Sequence, residues 1–138
     1  MHYTRYFLVS VLLVLSVCGC GENVPLKGKV TFSDDGSPLT RGTVIFVKEN
    51  FQSRGVIQPD GTFNVTSVNP GDGLPPGTYK IGIVDAVDTD VIPLIDPKHT
   101  SPDNSGLTLT VDSSTKSYDI KVDRYTGKVE RPLIGGAD

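Results

Sequence analysis

Between Leu26 and Val122 several short runs alternate apolar and polar positions with a period of two, and Gly55 to Val84 shows no helical period. Leu26, Val30 and Phe32 share one face of a first predicted strand; Lys27, Lys29, Thr31 and Ser33 share the other. Asp34-Asp35-Gly36-Ser37-Pro38 is a turn cluster. In a second strand, Gly42 to Lys48, the run Val44-Ile45-Phe46-Val47 is continuously apolar, as for a strand covered on both sides. Glu49 to Ser53 reads as a loop and Arg54 to Gln58 as the third strand. Pro59-Asp60-Gly61 separates that strand from Thr62 to Val68. An aspartate that bonds its own backbone, followed by a glycine free to take positive φ, predicts a tight hairpin there. A loop rich in Gly, Pro and Asp, Asn69 to Gly77, leads into Thr78 to Asp85, with Tyr79, Ile81 and Ile83 on one face. Asp85 to Ser105 is the longest irregular piece, punctuated by Pro93, Pro97 and Pro102, and its length predicts a functional or partly mobile loop. Leu107-Leu109-Val111 and Tyr118-Ile120-Val122 supply two more alternating strands around a polar turn, Ser113 to Ser117. Past Arg124 the alternation stops, and residues 125–138 are expected to form a flexible C-terminal tail.

Seven short strands with frequent turn signals predict an all-β sandwich over residues 26–124. The length, 138 residues, suits one domain and its single core. Fifteen glycines, ten prolines and no tryptophan fit short strands and many turns rather than a helix bundle. The net charge of −3 is mild and the basic residues are spread evenly, so no electrostatic footprint for nucleic acid is present. Cys18 and Cys20 both precede the predicted domain, which therefore has no internal disulfide and must be held by packing.

The start of the chain has a different character. Arg5 precedes Phe7 to Val17, an uncharged apolar run that as a helix would span about 17 Å, short of the roughly 30 Å hydrocarbon core. Such a run is the apolar region of an export signal rather than a stable membrane span. It ends Leu15-Ser16-Val17-Cys18-Gly19-Cys20, which resembles the lipobox of bacterial lipoprotein signal peptides, where a small residue precedes the cysteine that is lipidated. Gly19 before Cys20 fits that pattern; the branched Val17 before Cys18 does not. The resemblance implies a signal peptide over residues 1–19, with Cys20 carrying diacylglycerol and an N-acyl chain. Residues 20–25 then form the lipidated N-terminus and a short tether. It further implies attachment to a membrane on its periplasmic or cell-surface side. Gly21, where an inner-membrane retention signal would show aspartate, favours the outer membrane. An ordinary secretory signal cleaved near Gly19 or Gly21 is the alternative.

Lys27-Gly-Lys-Val-Thr-Phe followed by Asp35-Gly-Ser-Pro-Leu-Thr-Arg-Gly-Thr-Val-Ile-Phe resembles the first hairpin of the carboxypeptidase regulatory-like domain, a transthyretin-like (prealbumin-like) sandwich. Asp60-Gly-Thr-Phe and Pro76-Gly-Thr-Tyr-Lys-Ile are similar to later signatures of that family, and the likeness covers roughly residues 24–122. It implies a seven-stranded, non-catalytic accessory fold with no cofactor.

Candidate chemistry is sparse. His99 is the one histidine beyond the leader, and Ser105 near it stands in Asn104-Ser105-Gly106 rather than in a Gly-x-Ser-x-Gly elbow. His99 is therefore expected as a surface-loop residue. The hydroxyisourate hydrolase, a fold relative of transthyretin, uses more than one histidine and a Tyr-Arg-Gly-Ser ending; this chain ends Leu-Ile-Gly-Gly-Ala-Asp. Asp85, Asp88, Asp90 and Asp96 crowd the start of the long loop and are the candidate Ca²⁺ ligands. They lack EF-hand spacing, so solvated loop acids are the preferred reading. Phe51 and Tyr125 are the aromatic residues outside clear core positions, and with Asp96 and His99 they are the candidates for a binding loop. The expectation is a non-catalytic, membrane-anchored envelope lipoprotein with a structural or binding role. The alternative is an accessory module that recruits a glycan or a partner protein through residues 85–105; a hydrolase comes third.

Overall fold

The alternating pattern becomes two sheets around one core in the computed structural model, which describes residues 22–128. The leader and Cys20 lie outside the described residues, as do residues 129–138 of the expected tail. Seven strands form in the described part. They are β1 (Lys27–Phe32), β2 (Thr43–Lys48), β3 (Phe51–Val56), β4 (Thr62–Asn64), β5 (Gly77–Val84), β6 (Leu107–Val111) and β7 (Ile120–Val122). One sheet has the order β4-β1-β7 and the other β3-β2-β5-β6. Every strand pairing is antiparallel except β1 with β7, where Val30 lies opposite Ile120 and Phe32 opposite Val122. The molecule is an all-β sandwich.

The inward positions read from the alternation are the core. Leu26, Val30 and Phe32 are buried, as are Tyr79, Ile81 and Ile83, Ile120 and Val122. Phe63 sits at the centre. Its ring lies 6.2 Å from that of Phe46, and it passes over two glycines that leave room for it. A Cβ on Gly28, its partner across β1, would come within 2.7 Å of the ring, and one on Gly55 of β3 within 3.0 Å. Burying a ring of this size against both sheets contributes about 2–3 kcal/mol from area alone.

Several elements differ from the expectation. The third strand begins at Phe51, not Arg54, because Glu49 and Asn50 alone make the turn, with Lys48 opposite Phe51 and Glu49 at φ 50°. The turn at 59–61 is present: Gly61 donates to the Gln58 carbonyl at 2.8 Å, and Asp60 accepts from the Thr62 amide at 3.0 Å. It does not close a hairpin within one sheet, however, since β4 leaves β3 and pairs with β1. The chain rejoins β3 only at Thr66, which exchanges two backbone bonds with Arg54. In β2, Val44 and Phe46 are fully buried while Ile45 and Val47 are half-buried, so its outer face is only partly covered. Residues 85–105 are packed rather than loose: Ala86, Ile95 and His99 are buried, and Pro97–Thr100 forms a 3₁₀ turn. Tyr125 is not free either, for its amide donates to the Leu94 carbonyl at 3.1 Å.

Strand register assigns the loops to two ends. At the proximal end the chain joins the body: Val24 and Leu74 exchange backbone hydrogen bonds of 2.7 and 2.9 Å. Turn 49–50, loop 66–76 and turn 112–117 lie at the same end, because Lys48, Gly77 and Val111 do. The distal end holds turn 33–42, turn 57–61, residues 85–106 and the segment after Val122.

Candidate functional site

The distal end carries a polar network that joins three separate segments of the chain. Parallel pairing of β1 with β7 makes the chain leave Phe32 and Val122 side by side, so Ser33 meets Asp123 although 90 positions separate them. Ser33 Oγ donates to Asp123 Oδ1 at 2.6 Å, and Lys98 Nζ pairs with Asp123 Oδ2. Arg124 reaches back over turn 33–38. Its Nε donates to Asp34 Oδ2 at 3.0 Å and its Nη2 to Asp35 Oδ2 and Ser37 Oγ, each at 3.2 Å. The guanidinium lies 3.7 Å from the centroid of the Phe32 ring, which it roofs.

These charges set one another's protonation. The Lys98 hydrogen bond, then that of Ser33, lowers the Asp123 carboxyl to about 2. Asp123 in turn raises Lys98. The Ser37 hydroxyl and amide hold Asp35 below its ordinary value, with a smaller contribution from Arg124, and Asp34 raises Arg124. Each pair is about half exposed, so each is individually weak. Together they clasp the C-terminal segment to the turn after β1.

His99 is not a surface residue: only 5% of it is exposed. Asp96 explains the inward position. Its carboxylate accepts the Lys98 amide at 2.9 Å and starts the 3₁₀ turn that carries His99 beneath the loop. There Nε2 accepts the Asp123 amide at 3.1 Å, so the neutral ring carries its proton on Nδ1. Nδ1 is buried without a hydrogen-bond partner among the described residues. Ser105 is not aimed at the ring: its Oγ donates to the Ile81 carbonyl and accepts the Leu107 amide at 3.1 Å.

Two acids of the long loop, Asp88 and Asp96, serve the backbone. Asp88 Oδ1 accepts the amides of Asp90 and Ile92, each at 2.9 Å, and closes a tight turn with Val91 at its tip. Val91 is 74% exposed and has φ 62°, a costly conformation for a β-branched residue. Asp85 also has positive φ. Among the described residues no three His, Cys, Asp or Glu side chains converge as metal ligands. The four aspartates are thus not brought together.

The binding-loop candidates are split between the ends. Asp96, His99 and Tyr125 are distal. Phe51 is proximal, packed edge-on against Tyr79 at 6.1 Å and lining a shallow hollow with Lys48, Glu49, Asn50 and Pro75. Asp34, Asp35, Lys98, Asp123 and Arg124 were missed from the sequence. Only the β1–β7 pairing joins them, and no local pattern announces it.

Comparison with known proteins finds no matching family model, no matching curated protein and no matching solved structure. No helix among the described residues is long and apolar enough to cross a membrane.

Proposed function

We propose that this chain is a membrane-anchored envelope lipoprotein whose sandwich is transthyretin-like, of the carboxypeptidase regulatory-like kind, and serves contact rather than catalysis. One observation carries the reading: Gly19-Cys20 stands at the foot of the apolar run Phe7 to Val17, and body structure begins only four residues later, at Val24. A cysteine so placed is the attachment point of acyl chains, each buried methylene of which contributes about 0.8 kcal/mol to membrane binding. No other cofactor is part of the reading. The absence of a reaction is supported by the hydrogen bonds of His99 Nε2 and of Ser105, which go to backbone, and by the burial of His99 Nδ1 away from solvent, with no side-chain nucleophile as its hydrogen-bond partner among the described residues. Cys20→Ser is the test. The protein is expected to move from the membrane fraction to the soluble exported fraction; an unchanged distribution overturns the reading.

A second reading follows from the placement of residues 85–105 at the end away from the tether. That end would be offered to a glycan or a partner protein, with Val91 at its tip. Val91→Asp, which leaves the core untouched, is expected to abolish binding on a glycan array or in co-purification without lowering the melting temperature. Retained binding excludes this surface.

A further inference from the structure

The tether is so short that the body cannot stand clear of the membrane, and this selects which of its surfaces touches lipid. From Cys20 to Val24 the chain reaches about 14 Å at full extension. Strand β5 alone is about 26 Å long and runs from the proximal to the distal end. An acylated Cys20 therefore holds the proximal end at the headgroup layer and the distal end roughly a strand length beyond it.

The proximal end has the chemistry for such a contact. Lys27 and Lys116, both exposed, flank one shallow depression together with Pro25, Asn64 and Gly71. The loop that contributes Gly71 also carries Val68, 83% exposed and the most exposed large apolar residue described. Val68 is held there. Asp72 accepts the amides of Ser67 at 2.6 Å and of Val68 and Asn69 at 2.9 Å, so loop 67–72 is formed before any contact and loses little entropy on making one. Acids share this end: Asp72 and Asp112 turn their oxygens into their own loops but keep their charges, and Asp119 lines a neighbouring hollow with Lys27, so the attraction is local to the two lysines.

We infer that the proximal end is a lipid-contact surface, in which Lys27 and Lys116 meet the phosphates of anionic phospholipids and Val68 enters the acyl boundary. This rests on acylation of Cys20 and deepens the anchored reading. Each lysine at an anionic surface is expected to strengthen contact about fivefold at low salt, an effect that salt screens.

The acylated full chain, its Cys20 modification checked by mass, is reconstituted in vesicles of equal parts phosphatidylglycerol and phosphatidylcholine. An environment-sensitive fluorophore is placed on Val68→Cys or, as the distal comparison, on Val91→Cys. The Val68→Cys probe is expected to shift to the blue and to be quenched by brominated lipid, whereas the Val91→Cys probe is not. Lys27→Glu with Lys116→Glu, or high salt, should weaken the signal severalfold. With Cys20 acylated, equal response of the two probes, or a Val68→Cys signal unchanged by the double charge reversal and by salt, overturns the inference and leaves the anchored reading intact. An unacylated Cys20 overturns both.

Discussion

Gly73→Ala is expected to unfasten the point where the chain joins the body. Gly73 has φ 79°, which costs an alanine about 1–2 kcal/mol. The added methyl would also overlap the Val24 carbonyl and come within 2.7 Å of the Pro25 Cα, both of them backbone that no rotamer change can move aside. The simplest relief is separation of Val24 from Leu74, with loss of two backbone hydrogen bonds worth about 0.5–1.5 kcal/mol each. The expected destabilisation is therefore about 2–5 kcal/mol. Gly71→Ala isolates the backbone part, since Gly71 has a similar φ of 74° but nothing within 4 Å of a Cβ. That variant should lose only about 1–2 kcal/mol. Urea unfolding measures both, and hydrogen exchange at the Val24 and Leu74 amides locates the damage. Faster exchange confined to those amides in Gly73→Ala would also mean a longer tether, because the next fixed point is the Leu26 carbonyl, which accepts the Val65 amide. Equal destabilisation of the two variants, or unchanged protection at Val24, would mean that Gly73 does not hold this junction together.

Phe63→Ala should cost about 3–5 kcal/mol in urea unfolding, since Gly28 and Gly55 have no side chains to collapse into the space. His99→Ala should cost about 2–3 kcal/mol, from the cavity and from an Asp123 amide left without its acceptor, with the loss visible as faster exchange at that amide. The pH dependence follows from Asp123. Its folded value, about 2, lies below the ordinary carboxylate value, so its contribution is present above about pH 4 and is lost as pH falls towards 2. Melting temperatures of the wild type and Asp123→Asn should therefore converge between about pH 4 and 2, whereas a gap constant through that window would contradict the assignment.

Strands whose inward positions are all apolar were legible in the sequence: β1, β5 and β7 alternate as read, and their inward residues are buried. The start of β3 was hidden because its inward positions are Phe51, Ser53 and Gly55, so the period of two carries no hydrophobic signal. Ser53 is buried all the same, its hydroxyl donating to the Thr66 carbonyl at 2.6 Å. Its turn, Glu49-Asn50, also lacks the glycine that marks two-residue hairpins. In residues 85–105 the core positions Ala86, Ile95 and His99 are irregularly spaced. A buried residue in aperiodic chain leaves no pattern, so a packed segment read as an open loop. The distal clasp was illegible for a topological reason. Asp34 and Asp35 read as turn acids and Arg124 as the end of a pattern, and only parallel pairing across the whole chain makes them neighbours.

We propose that acyl chains on Cys20 hold this sandwich to a membrane, at the end where Val24 pairs with Leu74. The decisive measurement is the intact mass and N-terminal peptide of the protein extracted from membranes. The expected product begins at Cys20 and exceeds the mass of the bare polypeptide by a diacylglyceryl group and one N-acyl group. A chain beginning elsewhere, or an unmodified Cys20, rules the anchor out.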